Sequence, residues 1–93
     1  MPLVARRLMI HGRVQGVWYR AWTVETARGL GLVGWVRNRI DGCVEALVQG
    51  EADRIDRFIA LAQDGPPAAQ VARIDATDAP VEPFHAFDKR ATT

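Results

Sequence analysis

The chain is predicted to form an α+β sandwich in the order β-α-β-β-α-β, with two helices on one face of an antiparallel sheet and a short terminal strand. Three observations predict it. Apolar stretches rich in β-branched residues recur along the chain, two segments between them take a helical period, and glycines and prolines punctuate the boundaries. With 93 residues there is room for one modest core, so residues 1–93 read as a single domain without repeat or linker.

Leu3 to His11 is the first predicted strand, with Val4, Leu8 and Ile10 on one face and Met9 on the other. Gly12 and Gly16 then break the pattern. From about Arg20 to Leu30 the spacing is helical, with Ala21, Val24, Ala27 and Leu30 able to share a stripe, and Gly29 and Gly31 end the helix. Leu32 to Arg39 reads as a strand, Asp41-Gly42 as a turn, and Cys43 to Gln49 as a strand that points Val44, Ala46 and Val48 to one side. Gly50 is expected to open the second helix. There Ile55, Phe58, Ile59 and Ala62 fall at i, i+3, i+4 and i+7, and Gly65-Pro66-Pro67 stops the run. Val71 to Thr77 and, after Pro80 and Pro83, Phe84 to Arg90 supply the remaining strands. This order is the ferredoxin-like, or split β-α-β, arrangement.

Composition narrows the function classes. Apolar residues make up 48% and charged residues 25%, an ordinary globular balance. The net charge of +1 does not indicate a nucleic-acid-binding tail or a polybasic membrane patch. Arginine supplies almost all the positive charge, with Lys89 the sole lysine. No apolar run approaches the roughly 18 residues of a spanning helix, and Arg6-Arg7 is followed by too short an apolar run for a signal peptide. The single cysteine, Cys43, makes no intrachain disulfide and no cysteine-rich metal site. A cytoplasmic monomer without cofactor or metal, bound to neither nucleic acid nor membrane, is the expectation.

Chemistry concentrates in Gly12-Arg13-Val14-Gln15-Gly16-Val17-Trp18-Tyr19-Arg20. Two glycines four apart let the backbone fold tightly and turn its N–H groups towards one point, at the start of a helix whose free N–H groups also favour negative charge. A cation in the first turn is unfavourable for the helix dipole, and a bound phosphate gives Arg20 a reason to be there, since its guanidinium fork matches two phosphate oxygens. The alternative is a surface arginine on a turn built by structural glycines. Gly34-Trp35-Val36-Arg37-Asn38 then brings an uncharged amide to a strand end. An amide is no base but donates to and accepts from a water, so Asn38 is a candidate for orienting a nucleophile; an ordinary turn asparagine is the alternative.

Other patterns carry less. Gly29-Leu30-Gly31-Leu32-Val33-Gly34 matches G-x-G-x-x-G but runs from helix to strand, the reverse of the dinucleotide fingerprint. His11 and His85 lack a clear serine or cysteine partner and are expected to be structural or exposed. Cys43 is expected to be a small buried residue, and Glu25 and Asp41 to be solvated. An anion grip with an oriented water and no strong base suffices only where the leaving group is easy. An acyl phosphate fits, because it expels a carboxylate and its phosphoryl group yields to positioning and charge stabilisation.

The Gly12–Arg20 stretch resembles the first signature of the acylphosphatases. Gly34 to Asn38, with Asp41-Gly42, Val44-Glu45 and Gly50, resembles the second, and similarity through Ala27, Leu30-Gly31 and Gly65-Pro66 extends it along nearly the whole chain. The resemblance implies a small cytoplasmic, metal-independent hydrolase acting on a small-molecule acyl phosphate. Arg20 would bind the phosphoryl group, Asn38 would orient the attacking water, and the backbone of Gln15, Gly16, Val17, Trp18 and Tyr19 would complete the cradle. Two departures stand out. Trp18 replaces what is more often a small residue, and either shapes the acyl side of the pocket or is simply packed or exposed. Lys89 stands where the family usually has an aliphatic residue, which argues against a well-packed last strand. Arg13, Arg37 and Arg39 either raise the local positive potential or only solvate a face.

The rival classes are a non-catalytic ferredoxin-like module that binds anions, or one that binds RNA with Trp35 and Leu47 on an open sheet face. Near-neutral charge and the lack of an RNP1-like run argue against RNA. A domain of the kind that begins hydrogenase-maturation carbamoyltransferases is a third rival, though those chains are long.

Overall fold

The computed structural model describes residues 3–93; the first two residues of the expected 1–93 domain lie outside the described residues. Seven elements follow in order: β1 (Leu3–Arg13), α1 (Tyr19–Gly29), β2 (Val33–Asn38), β3 (Val44–Glu51), α2 (Ala52–Ala62), β4 (Gln70–Ala79) and β5 (Phe87–Lys89). The strands form one sheet in the order β4-β1-β3-β2-β5. The ferredoxin-like α+β fold expected from the sequence is present. Its four long strands pair antiparallel, and β5 adds in parallel to β2, with Gly34 opposite Phe87 and Val36 opposite Lys89, which makes the sheet mixed.

Strand alternation divides the sheet into two faces. On one, Leu8 and Ile10 of β1, Val36 of β2, and Val44, Ala46 and Val48 of β3 meet Ala27 of α1 and Ile55, Phe58 and Ala62 of α2 in a common core. The strong α2 stripe thus lies where its spacing puts it, with Ile59 partly buried beside it. In α1 the inward residues are Tyr19, Thr23 and Ala27, at i, i+4 and i+8. The expected α1 stripe is therefore rotated: Ala27 is buried, Val24 and Leu30 are partly so, and Ala21 is exposed.

Two glycines behave differently from expectation. Gly12 does not end β1; the strand passes through it to Arg13 by a register shift against β4 at His11/Gly12. A side chain there would collide with the Gln70 carbonyl, 2.2 Å from an ideal Cβ, so only glycine lets the two backbones stay paired. Gly50 does not open α2. It lies within β3 opposite Val4, close against the Leu32 side chain, and the helix starts at Ala52.

The face away from the helices is not an open platform. Trp35 is only 9% exposed, with the guanidinium of Arg37 4.7 Å and that of Arg90 4.9 Å from its ring centre. Leu47 is buried, and so is Glu45, which accepts from Arg7, Arg37 and Arg39. Gln49 is held by the loop after β4: its amide donates to the Glu82 carbonyl and its carbonyl accepts from the Glu82 N–H. Aromatic and aliphatic groups that would stack bases are covered by the protein's own side chains.

No helix among the described residues is long and apolar enough to cross a membrane.

Candidate active site

The loop between β1 and α1 is fastened at both ends. At its start the Gln15 side-chain amide donates to the carbonyls of Arg39 (2.7 Å) and Cys43 (2.9 Å), which ties it to the β2–β3 turn. That turn is itself closed by Arg39 N–H to the Cys43 carbonyl and by Cys43 N–H to Asp41 Oδ1. At its end the Tyr19 hydroxyl donates to the Ala62 carbonyl at 2.6 Å, fixing the start of α1 to the end of α2. Burial pushes the Tyr19 phenol well above the usual tyrosine range, so it remains a neutral donor. Val14, just before the first anchor, and Val17, between the two, enter the core, while Gly16 and Trp18 face outward.

This alternation bends the backbone. Gly16 has φ 74°, and a Cβ there would meet no atom within 4 Å, so its conformation and not crowding calls for glycine. Trp18 shares the left-handed conformation at φ 67°, a strain of about 1–2 kcal/mol for a residue with a side chain. Its indole is 82% exposed at the rim of a cavity, which excludes core packing as its role. Trp18 is also the N-cap of α1, and no side chain caps the helix. The backbone N–H groups of residues 15–18 donate to no other described residue. A group of amides at a helix start is thus left without partners among the described residues, the arrangement that receives an anion.

The cavity these groups border has a volume of about 260 Å³. Val14, Gly16, Trp18 and Tyr19 come from the loop and its end, Arg20 and Ala21 from the first turn of α1, Asn38 from the end of β2, and Lys89 from β5. The two residues singled out by sequence, Arg20 and Asn38, are therefore brought to one place. Asn38 shares the strand face of Val36, which is the helix side, and is the half-buried last residue of β2. Its main-chain carbonyl accepts from the Thr93 N–H, its side-chain amide makes no hydrogen bond to a described residue, and the residue borders the cavity. Arg20 forms no ion pair with any described residue.

Other candidates lie elsewhere. Arg37 and Arg39 flank Asn38 in sequence but turn to the far face and pair with Glu45, and Arg13 is exposed. The expectation that His11 lacks a cysteine partner is overturned. The β1–β3 register, Ile10 opposite Val44, sets His11 Nδ1 3.1 Å from Cys43 Sγ, and His11 Nε2 lies 3.1 Å from Asp75 Oδ2. Only the pairing of distant strands reveals this contact; no local pattern does. Burial, reinforced by Asp41, raises the Cys43 thiol, which keeps it protonated and a poor nucleophile. Asp41 is exposed, and hydrogen bonding from Cys43 lowers its pKa. Glu25 and His85 are exposed. No cluster of three or more histidine, cysteine or acidic side chains suited to a metal occurs among the described residues. Sequence reasoning weighed Lys89 for strand packing alone. In the structure β5 does form, Phe87 is buried, and Lys89 borders the cavity.

The family model described as Acylphosphatase matches residues 6–89. An acylphosphatase of Rhizorhabdus wittichii is 52% identical over 89 residues, covering 96% of this chain and 90% of the relative. An acylphosphatase of an Azoarcus species is 58% identical over 86 residues, covering 92% and 88%. The crystal structure of acylphosphatase from Bacillus subtilis superposes with a TM-score of 0.91 at 34% identity, over 94% of this chain and 98% of the other. The chain belongs to the acylphosphatase family of enzymes.

Proposed function

We propose that this acylphosphatase cleaves its substrate by direct attack of water on a phosphoryl group held by Arg20 and the backbone amides of Gln15 to Tyr19, with Asn38 orienting the water. The observation that carries the reading is the meeting of an unpaired guanidinium (unpaired among the described residues), a set of loop amides and one neutral amide side chain around a single cavity. Arg20 and the loop N–H groups face the oxygens on which charge is held as the bond to phosphorus loosens. Asn38 accepts a hydrogen bond from the water through its carbonyl oxygen, or donates one to the water oxygen through its amide N–H, and so aims the remaining lone pair. The new bond joins water oxygen to phosphorus; the bond that breaks joins phosphorus to the acyl oxygen. The carboxylate leaves without needing a proton, and the proton lost by water passes to a phosphate oxygen. The anchors at Gln15 and Tyr19 fix the cradle before substrate arrives, which moves the cost of ordering it from binding to folding.

Hydrolysis of benzoyl phosphate in excess EDTA tests the reading. The wild type should turn over undiminished by the chelator. Arg20→Ala should lose on the order of 10³–10⁵ in rate, as charge-stabilising arginines do in phosphoryl transfer. Asn38→Ala should lose roughly 10²–10³, the scale of one positioned hydrogen-bonding group. A folded variant that keeps wild-type turnover removes that residue from the mechanism.

A further inference from the structure

The cavity does not end at the phosphate cradle. Lys89 lines it as well, and Lys89 together with Ala21 also borders a more open groove of about 440 Å³, lined further by Val24, Glu25 and Arg28. The two spaces share Ala21 and Lys89 as lining residues, so they adjoin at the outer side of α1. The placement of Lys89 follows from the parallel pairing of β5 with β2. Phe87 enters the core, and Lys89, two residues on, shares its strand face where the cavity opens. Lys89 pairs with no carboxylate among the described residues: Asp88 lies 3.8 Å from Arg28, whose Nε donates to the Phe87 carbonyl, and Glu25, which shares the groove, forms no ion pair with Lys89.

We propose that Lys89 gives the site a second anion-binding end, which favours acyl phosphates whose acyl group carries a negative charge of its own. The inference rests on the reading that Arg20 and the loop hold the phosphoryl group. With the phosphate at the cradle, the acyl group extends over Ala21 towards Val24, and a carboxylate on it comes within reach of the Lys89 ammonium. Three rotatable donors on a flexible stem suit an anion whose position varies between substrates. Apolar Ala21 and Val24 accommodate the carbon skeleton between the two charges.

The test compares benzoyl phosphate with 4-carboxybenzoyl phosphate, which differ by the second charge on one ring, and reads the ratio of their kcat/KM values. The wild type should favour the carboxylated substrate, chiefly through a lower KM, and 0.5 M salt should erode the preference, about a Debye length of 5 Å or less at that strength. Lys89→Met should lower the ratio by about tenfold, the worth of one charge-assisted hydrogen bond, and Lys89→Arg should restore it. The salt dependence of the wild type stands as a test even if a variant folds poorly. A ratio unmoved by both Lys89→Met and salt overturns the inference, as does an equal loss on both substrates, which would place Lys89 on the phosphoryl group instead. Turnover of benzoyl phosphate with an unmoved ratio defeats this inference alone. Turnover of neither substrate by the wild type defeats the mechanism beneath it as well.

Discussion

Replacing Glu45 by glutamine removes one charge from the central strand while nearly preserving shape. In the native structure Oε1 accepts from Arg37 Nε at 2.7 Å and from Arg39 Nη1 at 3.2 Å, and Oε2 accepts from Arg7 Nε. The carboxylate is 2% exposed, whereas the side chains of Arg7, Arg37 and Arg39 are 43%, 23% and 32% exposed. Removing one partner of a buried pair costs roughly 3–5 kcal/mol when the remaining charge stays buried. Here the arginines can turn partly to water, so the loss should be nearer 2–3 kcal/mol, on the order of 10–20 °C in Tm for a domain this small. Burial acts to raise the Glu45 pKa, but hydrogen bonds from Arg37 and Arg7 and their charges outweigh it and hold the group below the ordinary glutamate range. A lowered folded pKa means that this stability is fully present above the unfolded value of about 4.3 and is lost as pH falls through the lower folded one. Urea unfolding of wild type and Glu45→Gln from neutral pH down to about pH 2 should therefore show a gap of this size that closes in acid. Equal stabilities at neutral pH, or a gap that persists unchanged at the acid end, would refute the reasoning.

Three further outcomes follow from single groups. Tyr19→Phe leaves the Ala62 carbonyl without its donor and should cost about 1–2 kcal/mol in urea unfolding; because the folded phenol is raised, wild-type stability should hold up to about pH 10, where the unfolded phenol begins to ionise, and fall above it, a decline the variant lacks. Thr23 Oγ1 is buried without a partner among the described residues, so Thr23→Val should be neutral or gain up to about 1 kcal/mol by thermal melting. The Cys43 thiol should resist iodoacetamide at neutral pH and react at full rate once urea unfolds the chain, and Cys43→Ala should leave benzoyl phosphate turnover within about twofold.

Much of the site was legible because its parts are local. The loop from Gly12 to Arg20 and the strand end at Asn38 each carry their chemistry within a few residues, and their meeting follows from the β-α-β order. The α2 stripe was equally plain, since Ile55, Phe58 and Ala62 have no competing polar ends. The α1 face was misread for the opposite reason: Tyr19 and Thr23 look polar in sequence, yet both are buried, while apolar Ala21 faces the cavity. Glu45 and Gln49 lie on the face of β3 away from Val44, Ala46 and Val48. Both are enclosed, because β3 is the middle strand and side chains from β1, β2 and the loop after β4 close over its second face. The His11–Cys43 contact and the Lys89 wall depend on cross-strand register, which no window of sequence contains.

The sheet order has a consequence for how the molecule is made. β1 is the first strand of the chain, yet its partners are β3, in the middle, and β4, near the end. Its hydrogen bonds can form only after long loops close, a contact order that places folding on the order of milliseconds to seconds rather than microseconds. During synthesis the loop between β1 and α1 emerges early but has nothing to brace it, since its tethers reach Cys43 and Ala62 and the cavity beside it is also lined by Lys89. The pocket is therefore among the last features to assemble. In a refolding experiment, recovery of turnover should trail the recovery of helical signal, and so report completion of the whole sheet.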